Sequence, residues 1–239
     1  MNRSGAGEHF WFSRVTPRAD GDLSSLWTMI AKGEAEGAMS ARGESTSAIE
    51  HKLIWEMFAD GPDRKRDFLY RRDQTGRYYV LSRRRPVAPP DLFDVESKPF
   101  APALSAGDRL TFELRVNAVV TRKDKDGKPR RHDIVMDRLK PVPAGRRAES
   151  REAQTKSAAE DWLKAQGERA GFRLETLAMP SYRVDEFSPG RGRKKIRLGV
   201  LDLAGRLRIE KPDLFLPALE EGFGKAKAFG CGLMLIRRA

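Results

Sequence analysis

The chain has 239 residues, of which 39% are hydrophobic and 33% charged, with a formal net charge of +12 and a pI near 10.0. That length suits one large domain or two small ones, and the charge makes a polyanion the first partner to consider, beside a merely soluble basic surface. One cysteine, Cys231, excludes an intrachain disulfide, His9, His51 and His132 form no zinc-type cluster with it, and no metal or cofactor is expected.

No apolar run approaches the roughly 18 residues of a membrane span, and the first residues lack the apolar core of a signal peptide. A cytoplasmic protein without a membrane partner is expected. Residues 1–9 read as a flexible leader. Residues 10–15 have the aromatic and branched content of a strand, and residues 23–31 suit a short helix. Over 47–58, Ile49, Leu53, Ile54 and Met57 recur on one helical face, and Asp60-Gly61-Pro62 ends the run. Residues 67–72 and 77–82 read as a hairpin around Gln74-Thr75-Gly76. Three prolines from Pro86 to Pro90 mark a linker or an edge.

The second half begins with a strand over 109–121, where Leu110, Phe112, Leu114 and Val116 share one face. Residues 123–131 form a basic loop turning at Asp126-Gly127, and 132–136 read as the return strand, with His132 structural. A helix is expected over 158–170, with Ala159, Trp162 and Leu163 inward and Gly171 as its stop. A short strand at 182–187 follows, then a hairpin of 195–203 and 206–209 around Ala204-Gly205, a helix from Pro212 to about residue 221, and a strand at 232–236. No internal repeat is visible. Element order alone suggests an α+β fold of two tandem ferredoxin-like domains, residues 10–90 and 91–239.

Before the last strand stands GFGKAKAFGCGL (222–233), two Gly-x-Gly pairs with two lysines between. Glycine permits positive φ and close approach; exposed amides with Lys225 and Lys227 could cradle phosphate. The same spacing also fits a tight helix-to-strand connection. It follows a helix and precedes a strand, the reverse of a nucleotide-binding fingerprint. Cys231, between two glycines, reads as a small buried thiol.

This segment resembles the glycine-rich loop of the repeat-associated mysterious proteins of CRISPR systems, in the form of the CasE branch. HKLIWEMF (51–58) ahead of RDFLY (66–70) is similar to that family's catalytic-helix region, and KPF (98–100) ahead of RLTFELRVN (109–117) to the start of its second domain. The resemblance runs over nearly the whole chain. It implies tandem ferredoxin-like domains and a metal-independent endoribonuclease that cuts precursor guide RNA at the base of a repeat hairpin. It further implies that the enzyme holds its product within the Cascade complex, beside other subunits.

RNA carries its own nucleophile, the 2′-hydroxyl. A histidine titrates in the range needed to move its proton or that of the 5′-oxygen, and a lysine or arginine suits the charge on the phosphorane. His51 flanks the apolar stripe of its helix and matches the family's catalytic position; Lys194 and Lys195 are candidates for the phosphorane. Ser47 lies one turn before His51 and suits a helix cap or a bond to the histidine. The basic run Arg191, Arg193, Lys194, Lys195, extended by Arg183 and Arg197, falls where relatives place an RNA-gripping hairpin. With Gly222, Gly224, Lys225, Lys227, Gly230 and Gly232 it makes up the expected RNA-binding set. One departure stands out: relatives carry a tyrosine three residues before the histidine, where this chain has Ala48. A non-catalytic RNA-binding subunit of the same superfamily is the competing expectation.

Overall fold

The computed structural model describes residues 10–18, 53–58, 66–187 and 196–239. These divide into two compact units, one ending at Ala103 and one beginning at Leu104.

In the first unit, β1 (Phe10–Pro17), β2 (Phe68–Arg72), β3 (Tyr78–Ser82) and β4 (Phe93–Phe100) form an antiparallel sheet in the order β2-β3-β1-β4. Strand alternation turns Val15, Phe68, Tyr70, Tyr78, Val80 and Phe93 to one face. There they bury Leu53, Ile54, Met57 and Phe58, of which residues 53–56 are helical and 57–58 a turn, with Trp55 packed alongside. The rings of Phe58 and Phe68 stack at 4.5 Å. The hairpin between β2 and β3 turns as expected: the Asp73 carboxylate accepts the amides of Thr75 and Arg77.

The boundary expected after Pro90 is corrected. β4 pairs with β1 over its full length, from Phe10↔Phe100 to Pro17↔Phe93, so β4 completes the first sheet and residues 91–103 belong to the first unit. The proline-rich stretch is an internal crossing. Pro89 O accepts the amides of Leu92 and Phe93 and so starts β4, and residues 83–92 hold no helix.

In the second unit, β5 (Arg109–Val116), β8 (Phe172–Leu177), β10 (Ile196–Ile209) and β11 (Met234–Arg238) form an antiparallel sheet in the order β11-β5-β10-β8. β9 (Ser181–Phe187) pairs with the first half of β10. Three helices, α1 (Ile134–Leu139), α2 (Arg147–Ala170) and α3 (Pro212–Glu221), join the strands. Leu110, Phe112, Leu114 and Val116 are buried as their alternation required, together with Leu163, Phe172, Leu207 and Phe215.

Several elements differ from expectation. The apolar pattern that began at 109 breaks at Asn117, and β6 (Val119–Lys123) then pairs with β7 (Pro129–Asp133) as a separate ribbon. Residues 134–136 are helical because Asp133 caps α1, accepting from the amides of Val135 and Met136. No turn occurs at Ala204-Gly205: β10 runs straight through, with Gly205 between Phe112 and Leu177. A Cβ there would overlap Thr176 O and approach Phe112 at 3.1 Å, so this glycine serves close strand packing. α2 starts eleven residues before the expected 158, at Arg147, and ends at Gly171 in the left-handed conformation. Among the described residues no helix is long and apolar enough to cross a membrane.

Candidate nucleic-acid interface

The glycine-rich loop joins α3 to β11, both of them in the second unit. Its neck closes where the Phe223 amide donates to Gly232 O at 2.9 Å, with the Phe223 ring buried 6.1 Å from that of Phe172. Two more backbone bonds seat it against the end of β5: Lys225 N to Asn117 O at 3.0 Å and Gly232 N to Arg115 O at 2.7 Å. Gly224 has φ +71, and a Cβ there would meet Asn117 O at 2.8 Å and overlap Val116. The backbone conformation and close packing therefore account for this glycine without a ligand. The Lys227 ammonium donates to Glu221 O, at the C-terminal end of α3, at 2.6 Å, where the helix dipole favours a cation. Lys225 is exposed. Gly222 and Gly230, also at positive φ, flank the loop's ends.

Beside the loop, three strands hold a row of alternating charges. Arg115 on β5 donates to Asp202 on β10 at 2.8 Å; Arg183 on β9 donates to the same carboxylate at 2.6 Å and to Asp185 at 2.9 Å. Burial pushes the Asp202 carboxyl up, but hydrogen bonds and charge from Arg115, then Arg183, more than offset it and hold the group below the usual range. Cys231 is 1% exposed, and burial pushes its thiol up to about 12, so it is a packed side chain and a poor nucleophile. Arg183, expected to contact RNA, thus has its guanidinium engaged by two carboxylates. Arg197 is 70% exposed and pairs across the strands with Glu186 at 3.0 Å.

A second knot fastens these strands together. Asn117, 5% exposed, donates from Nδ2 to Gly199 O on β10 at 2.8 Å while its own carbonyl accepts from Lys225. A Cβ on Gly199 would overlap the Asp133 carboxylate and lie 2.9 Å from the Tyr182 hydroxyl. Burial and the adjacent Asp133 push that hydroxyl up to about 12, and burial also raises Asp133. Asn117, Asp202, Asp133 and Tyr182 were not singled out from sequence. The one available signal was Asp202 between Leu201 and Leu203: a carboxylate in an apolar strand is buried only if paired.

His51, Arg191, Arg193, Lys194 and Lys195 lie outside the described residues, as do Ser47, Ala48, His9 and the helix expected at 23–31. β9 and β10 pair up to Phe187↔Ile196, so the basic run belongs to the segment linking these two strands. His132 is exposed on β7. Among the described residues no group of three or more His, Cys, Asp or Glu could hold a metal ion.

The family model "CRISPR associated protein" matches residues 11–238. The CRISPR system Cascade subunit CasE of Escherichia coli K12 is 28% identical over 189 residues, covering 77% of this chain and 88% of that one. Two solved structures share the mixed α/β fold. Thermus thermophilus Cse3, bound to an RNA representing a pre-cleavage complex, superposes with TM-score 0.61 at 20% identity, covering 96% of this chain and 99% of that one. The CRISPR-associated protein Cas6e of Escherichia coli K-12 superposes with TM-score 0.58 at 21% identity, covering 96% and 100%.

Proposed function

We propose, given that this chain belongs to the CRISPR associated protein family, that it is an endoribonuclease that cleaves precursor CRISPR RNA at the repeat hairpin. The observation that carries the reading is the family match over residues 11–238. Likeness to CasE over 88% of that relative's length supports it further. In this reading the two units are tandem ferredoxin-like domains. Strand orders β2-β3-β1-β4 and β11-β5-β10-β8 support that, since each is the fourth-first-third-second order of such a domain when read on its four principal strands.

The chemistry follows from the substrate. The 2′-oxygen upstream of the cut bonds to phosphorus as the bond from phosphorus to the 5′-oxygen breaks. One proton leaves the 2′-hydroxyl and one reaches the departing oxygen. His51 moves a proton, Lys194 or Lys195 faces the charge on the phosphorane, and no metal is required. The products are a 2′,3′-cyclic phosphate, or the 3′-phosphate from its hydrolysis, and a 5′-hydroxyl. Arg191, Arg193 and Arg197 grip phosphates, since the deep, narrow major groove of A-form RNA is poorly read by side chains. The enzyme stays on its mature guide RNA within Cascade, in the cytoplasm.

Ala48 favours one second reading, a non-catalytic RNA-binding subunit, because a tyrosine stands there in relatives. Incubating the protein with its cognate repeat RNA in excess EDTA and analysing the fragment ends separates the two. Fragments ending in cyclic phosphate and 5′-hydroxyl support cleavage by the 2′-oxygen. Binding with no fragments supports the second reading, and cleavage that EDTA abolishes overturns the mechanism.

A further inference from the structure

Apart from Asp133 at its root, the β6–β7 ribbon takes no part in the site described above, and its Arg122, Lys123, Lys125, Lys128, Arg130 and Arg131 are all exposed. Its cross-strand pairs are Val119↔Asp133, Val120↔His132, Thr121↔Arg131, Arg122↔Arg130 and Lys123↔Pro129. Opposed residues share a face, so Arg122 and Arg130 lie on one side and Lys123 and Arg131 on the other. The two sides are not equivalent. Like charges directly opposite destabilise a ribbon, and on the first side each cation has its own carboxylate: Arg122 meets Asp137 of α1 at 2.8 Å, and Arg130 meets Asp124 at 3.0 Å. On the second side Lys123 and Arg131, with Lys125 and Lys128 at the turn, are exposed and meet no carboxylate among the described residues. Asp124, between Lys123 and Lys125, is taken up by Arg130 and by the turn amides of Asp126 and Lys128, and Asp126 is exposed.

Hydrogen bonds hold the ribbon's turn. The Asp124 carboxylate accepts the amides of Asp126 and Lys128, and its backbone pairs with Lys128 and Gly127. At its root, Asp133 both caps α1 and lies against Gly199 of β10 and Tyr182 of β9. The ribbon leaves the end of β5, and its root lies against β9 and β10, the two strands between which the basic run 191–195 falls in the sequence.

We propose that β6–β7 is a second RNA-binding arm, whose Lys123, Lys125, Lys128 and Arg131 hold the phosphate backbone of the RNA bound at β9–β10. This rests on the reading above that the chain binds RNA. A phosphate backbone fits better than a protein partner because the exposed part of the ribbon lacks an apolar or aromatic centre, which protein interfaces require. Its only large apolar residues, Val119 and Val120, are half-buried at the root. Exposed cations along one side of a hydrogen-bonded ribbon suit sequence-independent binding to phosphates.

The test is filter binding of a repeat-hairpin RNA, transcribed from the array this protein serves, between 50 and 200 mM salt. It compares wild type, Lys123→Ala/Arg131→Ala, the quadruple alanine variant, and a control, Arg206→Ala/Arg208→Ala, that removes two exposed cations elsewhere in the unit. The quadruple variant is expected to bind roughly tenfold or more weakly at the upper salt. Its slope of log K against log salt should become shallower by about 0.7–0.9 for each phosphate that is no longer neutralised. Lys123→Ala/Arg131→Ala should exceed the control in both respects. An unchanged slope, or an equal loss of affinity in the control, overturns the proposal. So does intact RNA binding with loss of co-purifying Cascade subunits, which makes the ribbon a protein-binding surface. Melting curves matching wild type show that the variants fold. If wild type itself fails to bind the RNA, the underlying functional reading fails instead.

Discussion

Asp202 joins three strands because its carboxylate receives both Arg115, about three-quarters covered, and Arg183, more than half covered. Asp202→Asn removes the charge and leaves two guanidinium groups under-satisfied. It is expected to cost about 2 kcal/mol by urea unfolding at neutral pH. The pH dependence has a definite sign. The folded carboxyl titrates below its ordinary value, so its stabilisation is present above the unfolded value, near 3.8, and is lost as pH falls through the lower folded value. Asp202→Asn should therefore flatten the acid limb of the stability profile. Gly224 is the other single-residue test. Gly224→Ala meets both the left-handed backbone and the close approach of Asn117 O, and should lower stability by about 1–2 kcal/mol. A melting temperature equal to wild type would contradict this account of the glycine.

Among elements, those with strict alternation were legible from sequence: β5 buries the face expected of it, and the β2–β3 hairpin turns on the residues expected to turn it. The errors have separate causes, and the first is that close packing is invisible along a chain. Gly205 looked like a turn because the glycine is needed for Thr176 O, a residue distant in sequence. The first turns of α2 were missed because residues 147–154 carry almost no apolar stripe, so periodicity had nothing to detect. β7 ends at Asp133 for a local reason, helix capping, and that can be measured. Asp133→Ala should destabilise the second unit by about 1 kcal/mol, while Asp133→Asn, which keeps an acceptor and removes a carboxylate that burial disfavours, should cost much less. Equal losses of stability in the two variants would show that the carboxylate's charge, not its capping oxygen, matters there.

At the scale of the whole molecule, the β6–β7 ribbon, strands β9 and β10, the glycine-rich loop and the row of alternating charges all belong to the second unit, while the proposed catalytic histidine belongs to the part of the sequence before residue 53. The division after Ala103 was not legible because prolines at 86–90 look like a linker, whereas β4 is committed to the first sheet by pairing that only the folded chain reveals. The family, by contrast, was legible from three short segments in order, and its model covers residues 11–238. The most direct test of the proposed function is single-turnover cleavage of the cognate repeat hairpin by wild type and His51→Ala, with a parallel substrate carrying a 2′-deoxy nucleotide immediately upstream of the cut. The expected result is cutting by wild type, a loss of about 10²-fold or more in His51→Ala, and no cutting of the deoxy substrate by either protein. Cleavage of the deoxy RNA at the same bond, or an undiminished rate in His51→Ala, would contradict it.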